Sequence, residues 1–315
     1  MRVLVTGGTG FVGRSLLREL NEAIVVTRRA GSANEIGLAK TTQVVRWAEP
    51  TQSPLPISVD CGAQAVVHLI GESLAEGRWS ADKKRRIRES RIATTKNLVR
   101  SLALLVPRPA VLVSASAMGF YGSRGEQDLD EAASSGTDFM AEICREWEEA
   151  AIAARELGIR VVLLRMGLVL GPGGFLAKVL PIFRRGLGGR LGNGRQWCSW
   201  IHVDDLAQLI LRCCRDSKFS GPVNATTPFP VRNRELTRAL AQAVGRPAVL
   251  PVPRFALRLA YGELADVMTA SIRMKPVKVI AAGFHYKFPR IHEALADLVI
   301  QPNSGAEKSE NSDRH

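Results

Sequence analysis

Residues 6–13 read Thr-Gly-Gly-Thr-Gly-Phe-Val-Gly, directly after an apolar run that starts at Met1. Gly7 permits a tight turn, Gly10 lets the backbone approach a pyrophosphate, and Gly13 lets a new helix pack closely on its strand. The N-terminus of that helix adds N–H groups and partial positive charge. The turn therefore predicts a dinucleotide site, built from Gly7, Thr9, Gly10, Phe11, Val12 and Gly13.

The residues around the turn strengthen this interpretation. Residues 2–5 are typical of a buried parallel strand, residues 14–20 have helical periodicity, and residues 23–27 form a second apolar run. The alternative, a purely structural glycine turn, explains the glycines but not this strand-turn-helix-strand order. A dinucleotide site is the favoured interpretation.

The end of the second strand indicates which dinucleotide is bound. An NAD site carries Asp or Glu there for the ribose 2′-hydroxyl, whereas arginine suits a 2′-phosphate. This chain has Thr27, Arg28 and Arg29. Guanidinium groups bind phosphate through charge-assisted hydrogen bonds, so NADP(H) is favoured over NAD. A solvated basic turn is the alternative.

A net charge of +13 raises the possibility of a nucleic-acid partner, because residues 83–91 are densely basic. That run has helical character within the nucleotide-binding part, and aromatic residues make up only 6% of the chain. A solvated helix face therefore explains the run better than a nucleic-acid patch. We expect no nucleic-acid partner.

Cysteine usage and hydropathy predict a cytoplasmic protein. The five cysteines are scattered and lack the paired spacing with histidine that is typical of metal sites, so we expect free thiols and no bound metal. No uninterrupted apolar stretch reaches the length of a membrane span, and the first strand starts too early for a signal peptide. We expect no membrane partner, and the oligomeric state stays open.

Apolar runs alternating with helical segments predict an α/β fold, a Rossmann doubly wound parallel sheet with a smaller, mostly α C-terminal lobe. Further strands are expected at 43–47, 65–70, 110–114 and 160–166, with helices over about 80–105 and 137–157. The predicted nucleotide-binding domain covers 1–170, and residues 196–226 return to it. The predicted second lobe comprises 171–195 and 227–300.

Three segments of the second half carry weaker signals. Glycines crowd the region 171–195 and predict a loop-rich lid there, while the polar segment 301–315 is expected to be disordered. Residues 199–207 predict a short strand that enters a helix, with Asp204 or Asp205 as its N-cap. Capping explains these two acids better than acid/base catalysis.

Several separated motifs together resemble the extended short-chain dehydrogenases/reductases of the NAD-dependent epimerase/dehydratase superfamily. The motifs are residues 6–13, 68–71, 114–116 with 121–122, 165–171 and 200–207. Within that superfamily the chain is most similar to a subgroup of uncharacterised "epimerase family" proteins, sometimes labelled cell-division inhibitors. Residues shared with that subgroup are 78–79, 90–92, 114–122, 144–148, 192–197 and 283–289.

The resemblance implies NADP(H) binding and supplies further site residues. It implies that Thr27 and Arg28 lie near the 2′-phosphate and that Leu69 and Ile70 line the adenosine side. It also implies that Arg91 reaches in from the long helix and that Leu170 lies beside the nicotinamide.

The catalytic residues of the superfamily are not conserved here. Typical members use a Tyr and a Lys four residues later, with a Glu four residues beyond the Lys, and the Lys lowers the pKa of the Tyr. Registering the chain on Glu148 places Met140 and Cys144 at those two positions. Neither side chain can replace the original. Ser116 and Tyr121 are the remaining catalytic candidates, each with a structural alternative.

The expected substrate is an unidentified small molecule. Nucleotide-sugar enzymes often place an Arg-Asp pair where this chain has Cys198 and Ser199, so a diphosphate contact would have to come from Arg190 or Arg195. The leading hypothesis is an NADP(H)-binding oxidoreductase-like protein that transfers hydride to or from a small carbonyl or alcohol. A non-catalytic NADPH sensor or scaffold and a nucleotide-sugar epimerase are the alternatives.

Overall fold

The structure is a computed structural model that describes residues 1–28 and 42–300. Arg29 and the segment 301–315 lie outside the described residues. The strands are β1 Val3–Thr6, β2 Ala23–Thr27, β3 Gln43–Arg46, β4 Ala65–His68, β5 Val111–Ala117, β6 Asp128–Leu129, β7 Arg160–Met166, β8 Leu168–Leu170, β9 Trp197–Cys198, β10 Trp200–His202, β11 Gly221–Ala225, β12 Val231–Arg232 and β13 Arg273–Met274.

Ten α-helices connect and cover these strands in the described ranges. They are α1 Phe11–Arg18, α2 Ala81–Leu102, α3 Phe139–Ile152, α4 Gly174–Arg184, α5 Val203–Arg215, α6 Asn233–Val244, α7 Arg254–Tyr261, α8 Leu264–Met268, α9 Val277–Ala281 and α10 Ile291–Ile300. Short 3₁₀ helices follow β5, at Met118–Tyr121, and α3, at Ala153–Leu157.

Seven strands form one parallel sheet in the order β11-β7-β5-β4-β1-β2-β3. Every residue of β1, β2 and β4 is buried, because helices cover both faces of the sheet, and this explains the near-continuous apolar runs in the sequence. The strand order reverses between β1 and β4. That reversal leaves a crevice at the carboxyl ends of the strands, where nucleotides bind in such folds. The predicted Rossmann doubly wound fold is confirmed.

Alternate residues of the strands enter two separate cores. Val3 and Val5 of β1 pack with Leu16 of α1 and the apolar face of α5. Leu4, between them, packs on the opposite face with Leu98 of α2. The sheet therefore lies between two helical layers, and the glycine turn leads from β1 into the layer that contains α1.

The second lobe is mostly helical, as the sequence predicts, but it contains one helix that the glycine pattern hides. The expectation of a loop-rich lid over 171–195 is wrong for α4, which occupies Gly174–Arg184. Leu176 and Phe183 of α4 are buried with Trp200 and with residues of α6 and α10. The glycines lie before the helix, at its first position and after its end, and burial of an apolar face stabilises the helix between them.

The cap of α5 also differs from the prediction. His202 is the N-cap residue, and its Nδ1 accepts a hydrogen bond of 3.1 Å from the backbone N–H of Asp204. Asp205 instead accepts the backbone N–H groups of Lys287 and Phe288, at 2.7 and 3.0 Å. Asp204 and Asp205 are therefore not the cap, and Asp205 fastens the C-terminal segment to α5.

Candidate functional site

The glycine turn between β1 and α1 leaves no space for side chains at two of its positions. Gly7 has a φ of +74°, and a Cβ built there would lie 2.9 Å from the carbonyl carbon of Leu69. A Cβ on Gly13 would lie 2.5 Å from the carbonyl oxygen of Gly7. At this turn β1, α1 and the end of β4 therefore lie so close together that only glycine fits between them.

Helix α1 begins beside this turn, and its N-cap residue has no side chain that could accept a hydrogen bond. Gly10 is that N-cap residue, and no acidic residue lies in the first turn of the helix. The first N–H groups of a helix have no acceptor within the helix and carry partial positive charge. They form an anion site of the kind that binds a pyrophosphate.

A cavity of about 490 Å³ opens at the carboxyl ends of β1, β2, β3 and β4. Its size is within the range of small-molecule and cofactor sites. The lining residues are Gly7, Thr9, Gly10, Val26, Thr27, Arg28, Trp47, Ala48, Glu49, Pro50, Thr51, Gln52, Leu69, Ile70, Gly71, Glu72, Ser90 and Thr94. Seven of the predicted cofactor residues line it, namely Gly7, Thr9, Gly10, Thr27, Arg28, Leu69 and Ile70.

The carboxylate of Glu72 on the cavity wall is paired with nearby cations. Arg28 follows β2 and is exposed, while Glu72 lies on the wall beyond β4. The buried ammonium of Lys83 lies 2.8 Å from Glu72 and, through its hydrogen bond, lowers the pKa of that carboxyl. Arg86 and Arg28 contribute to the same lowering. The Glu72 charge is thus matched mainly by Lys83 and Arg86 of α2.

One wall of the cavity was missed by reasoning from the sequence. Residues 47–52, which follow β3, line the cavity together with Ser90 and Thr94 from α2. Trp47 is buried, and its indole N–H donates to the Ser53 carbonyl at 3.0 Å, which holds the segment in place. No motif marks this segment, and only its position at the end of a strand neighbouring β2 could have identified it.

Arg91 supports the cavity from behind rather than lining it. Its guanidinium is buried and donates to the carbonyl oxygens of Ile87 and Glu72, at 3.0 and 3.1 Å. The group also lies against Gly71 and over the Trp147 ring. Burial lowers the pKa of Arg91. Arg91 therefore fixes the loop after β4, which carries part of the cavity wall.

Phe11, Val12, Gly13 and Leu170 also lie outside the cavity lining. The Phe11 ring fills the space above Gly171 and Gly173, where a Cβ would come within 2.6 and 2.8 Å of ring carbons. Leu170 is fully buried in the core of the second lobe. Phe11 thus joins the start of α1 to the loop that precedes α4.

The two catalytic candidates belong to one buried hydrogen-bonded network. Ser116 donates to Oε1 of Glu148 at 2.7 Å, and Glu148 receives two parallel hydrogen bonds of 2.9 Å from Arg165. The Tyr121 hydroxyl accepts from Arg165 at 3.1 Å and lies 2.7 Å from Oδ1 of Asn224. Burial raises the pKa of Tyr121 to about 12. Both hydroxyls are fully buried and already paired, which favours their structural alternatives.

Helix α3 presents apolar side chains where the superfamily has its Tyr and Lys. Met140 and Cys144 are buried, and both lie against Gly119. Burial raises the pKa of the Cys144 thiol to about 12, with a further contribution from the Glu148 charge. Cys144 is therefore a neutral thiol at physiological pH and supplies no positive charge.

The positions that hold a diphosphate-binding pair in many nucleotide-sugar enzymes have structural roles here. Ser199 donates to the carbonyl of Ile272 at 2.9 Å and accepts the N–H of Met274 at 2.8 Å. Burial raises the pKa of Cys198 to about 12. Arg190 and Arg195 are both exposed.

The basic run 83–91 lies on α2, and most of its charges are paired. Arg85 pairs with Asp82 at 3.0 Å, and Arg88 pairs with Glu142 at 3.1 Å and also with Glu146. Lys83 and Arg91 are buried. The basic residues of the run therefore form mainly intramolecular contacts. Across residues 1–28 and 42–300, no cluster of His, Cys, Asp or Glu is arranged to hold a metal ion.

Comparisons with known proteins agree with this architecture. The sequence model of the NAD dependent epimerase/dehydratase family matches residues 3–225, and a domain of unknown function, DUF1731, matches residues 252–298. The chain is 41% identical over 306 residues to the "Epimerase family protein SDR39U1 homolog, chloroplastic" of Arabidopsis thaliana, across 95% of this chain and 87% of that protein.

Two solved structures are similar over nearly all of this chain. The human epimerase family protein SDR39U1 (isoform 2), crystallised with NADPH, is 29% identical with a TM-score of 0.85, covering 96% of this chain and 100% of that one. The nucleoside-diphosphate sugar epimerase of Corynebacterium glutamicum is 32% identical with a TM-score of 0.75, covering 95% and 58%.

Proposed function

The chain belongs to the NAD-dependent epimerase/dehydratase family, and on that premise we propose that it is an NADP(H)-binding oxidoreductase acting on a small carbonyl or alcohol compound. The observation that carries this proposal is the cavity at the switch point of the sheet, whose lining includes Arg28 and Gly10, the N-cap residue of α1. The human relative crystallised with NADPH supports the choice of cofactor.

The residues present fit this cofactor. The N–H groups at the start of α1 would hold the pyrophosphate, and the absence of side chains at Gly7 and Gly10 allows its close approach. Arg28 would bind the 2′-phosphate, whose charge it complements, and Thr27 would lie beside it. Leu69 and Ile70 would contact the adenosine side. NADPH supplies hydride when bound, and the protein positions and shields it.

The proton for such a reduction comes from somewhere other than the usual Tyr–Lys pair. Met140 has no proton to donate, and Cys144 is a buried neutral thiol. Ser116 and Tyr121 already point their hydroxyls at acceptors within the buried network. Water that reaches the substrate is therefore the proton source that this arrangement favours, which suits compounds that accept hydride readily.

A carbonyl panel tests the reaction directly. We expect NADPH oxidation, followed by its absorbance, with at least one small aldehyde, ketone or quinone, and little change in rate for Ser116→Ala. If Ser116→Ala abolished oxidation in a variant that still bound NADPH, the serine would be catalytic and water would not suffice.

A second candidate is a non-catalytic NADPH sensor or scaffold. The observation that favours it is the complete enclosure of both catalytic hydroxyls in the Glu148–Arg165 network. This candidate predicts NADPH binding without oxidation by any member of the panel. Hydride transfer with even one substrate would exclude it.

A nucleotide-sugar epimerase is a third candidate, favoured by the similarity to the Corynebacterium glutamicum enzyme. Cys198 and Ser199 argue against it because neither offers a cation to a diphosphate. Interconversion of a UDP- or GDP-sugar, weakened in Arg190→Ala or Arg195→Ala, would establish it over the other two.

A further inference from the structure

One end of the second lobe exposes large apolar side chains that belong to no core. They lie on α7, on the segment before it, and on the end of α4 with the loop that follows. Their exposed fractions are Phe255 76%, Leu259 76%, Val249 76%, Leu250 51%, Leu187 56% and Ile182 46%. We call these six residues the apolar patch. Exposed apolar side chains grouped in this way mark an interaction surface.

Backbone contacts show that these segments are adjacent. The N–H of Val252 donates to the Arg190 carbonyl, and the N–H of Gly192 donates to the Val252 carbonyl, both at 2.8 Å. Gly189 packs directly on the backbone of Leu250, where a Cβ would have no room. The loop 187–192 therefore runs beside residues 249–253, which lead into α7.

Helix α7 is amphipathic in the manner of a surface-binding helix. Leu257 is buried, whereas Phe255 and Leu259, four residues apart, share the opposite, exposed face. Arg254 and Arg258 flank them and share a single carboxylate partner, Asp266, at 2.8 and 3.7 Å. An apolar stripe flanked by arginines is typical of helices that lie in a membrane interface.

The charge of the surrounding surface is mainly positive, although Asp266 lies beside Arg254 and Arg258. The sequence contains no Asp or Glu between Glu156 and Asp204, and none between Glu235 and Glu263. These two acid-free stretches meet at the apolar patch. Exposed arginines within these two stretches are Arg184, Arg185, Arg190, Arg195, Arg238, Arg246, Arg254 and Arg258.

From this combination we propose that the apolar patch docks the protein on an anionic lipid bilayer. The arginines complement lipid phosphates, and Phe255 and Leu259 enter the interface between headgroups and acyl chains. A second copy of the chain is disfavoured, because it would place two sets of like charges against each other. The apolar side chains protrude instead of lining a groove, which suits a fluid surface better than a folded protein partner.

This docking is peripheral and differs from the expectation of no membrane partner. That expectation rested on the lack of a spanning segment, and none of the helices in the described part of the chain is both long and apolar enough to cross a bilayer. A helix that lies on the surface requires only an apolar face and a basic rim. The proposal is independent of the NADP(H) site and of the reaction.

Co-sedimentation of the full chain with vesicles tests the proposal. The two vesicle types are phosphatidylcholine alone, and phosphatidylcholine mixed in equal parts with phosphatidylglycerol. We expect binding to the anionic vesicles only, weakened by added salt. The double variant Phe255→Ser/Leu259→Ser should bind about tenfold more weakly or worse, because two apolar anchors are lost.

The matched control is Val277→Ser/Ile280→Ser on α9, whose side chains are similarly exposed, at 50% and 53%, outside the patch. It should bind vesicles like the original chain. Circular dichroism and NADPH titration show that each variant is folded. Equal binding to both vesicle types, equal losses in the two double variants, or no vesicle binding by folded protein would overturn the proposal. Patch-dependent dimerisation or patch-dependent binding to an acidic peptide, without vesicle binding, would do the same.

Discussion

At the scale of single residues, Gly10 and Gly13 have separable roles in the turn. A Cβ on Gly13 would meet the Gly7 oxygen at 2.5 Å, whereas a Cβ on Gly10 would meet it at 3.1 Å. The first contact lies inside the packing of α1 on β1. The second lies at the helix N-cap, where the cavity begins.

We therefore expect Gly13→Ala to lower the free energy of unfolding by about 1–3 kcal/mol, the usual cost of overpacking. Gly10→Ala should change that free energy by about 1 kcal/mol or less and weaken NADPH binding about tenfold, because the new methyl group obstructs the pyrophosphate. Urea unfolding without nucleotide and a fluorescence titration with NADPH separate the two effects. Similar stability losses in both variants would show that the roles are not separate.

The role of a residue could be predicted where backbone geometry alone determines it. It was harder to predict where several side chains could make the same hydrogen bond. The glycines of the turn follow from φ and from close approach. The N-cap residue of α5 could not be predicted in this way, because His202, Asp204 and Asp205 can all accept hydrogen bonds at the start of a helix. Only the fold shows that the C-terminal segment occupies Asp205.

At the scale of secondary-structure elements, His68 joins the sheet to the helical layer beside it. Its Nδ1 shares a hydrogen bond of 2.6 Å with the Thr6 hydroxyl of β1, and its Nε2 shares one of 2.9 Å with the Thr95 hydroxyl of α2. The indole of Trp147 on α3 donates to the same Thr95 oxygen at 3.1 Å. The fully buried imidazole thus links β4 to β1 and α2 directly, and to α3 through Thr95.

Burial lowers the pKa of His68 to about 3, so the folded protein keeps this side chain neutral. The unfolded chain takes up a proton near the ordinary pKa of about 6.5, so stability falls as the pH drops from there toward 3. We expect the His68 contribution to lower the free energy of unfolding by about 1 kcal/mol on going from pH 7 to about pH 5.5. Urea unfolding at the two pH values measures it.

The variant His68→Gln should be less stable at neutral pH and should lose less additional stability at low pH. His202 also has a pKa lowered by burial, so part of the pH dependence remains in the variant. An unchanged pH dependence in His68→Gln would show that the imidazole is not the group responsible.

Elements were predictable from the sequence in proportion to their burial. The strands 23–27 and 160–166 have the bounds that the apolar runs predict, because both faces of a parallel strand are buried. Helix α4 was missed because the glycines before and after it dominate the local pattern, while the burial of Leu176 and Phe183 depends on distant residues. The cavity wall at 47–52 was also missed, because its place beside the glycine turn depends on residues that are distant in the sequence.

At the scale of the whole molecule, Asp205 connects the two halves of the chain. Its carboxylate, at the start of α5, accepts from Lys287 and Phe288, and the Phe288 ring lies 4.1 Å from the His202 ring. The Tyr286 hydroxyl donates to the Thr226 carbonyl at 2.7 Å. These contacts hold the segment before α10 against the nucleotide-binding part.

Asp205→Asn should lower the free energy of unfolding by about 2 kcal/mol, since one of two charge-assisted hydrogen bonds is lost and the other is weakened. The neighbouring Asp204→Asn is the matched control. Asp204 accepts one long hydrogen bond, of 3.3 Å from Ser15, so its change should cost less than about 1 kcal/mol. Equal losses of unfolding free energy in the two variants would show that Asp205 does not hold the two halves of the chain together.

Sequence reasoning at this scale captures the fold and the cofactor half of the site, because both follow from local patterns around strands. The catalytic residues could not be predicted as well from the sequence. Ser116 and Tyr121 are plausible catalysts as residue types, and only the three-dimensional arrangement shows that Glu148, Arg165 and Asn224 already occupy their hydroxyls.

The most direct test of NADP(H) binding in this cavity is the nucleotide preference of Arg28→Asp. We expect the original chain to bind NADPH more tightly than NADH by calorimetric titration, and the variant to lose about tenfold to a hundredfold in affinity for NADPH, with NADH nearly unaffected. The exposed Arg18, at the far end of α1, provides the control Arg18→Asp, which should change neither affinity. Equal losses for the two nucleotides in Arg28→Asp, or no preference in the original chain, would contradict the assignment of Arg28 to the 2′-phosphate.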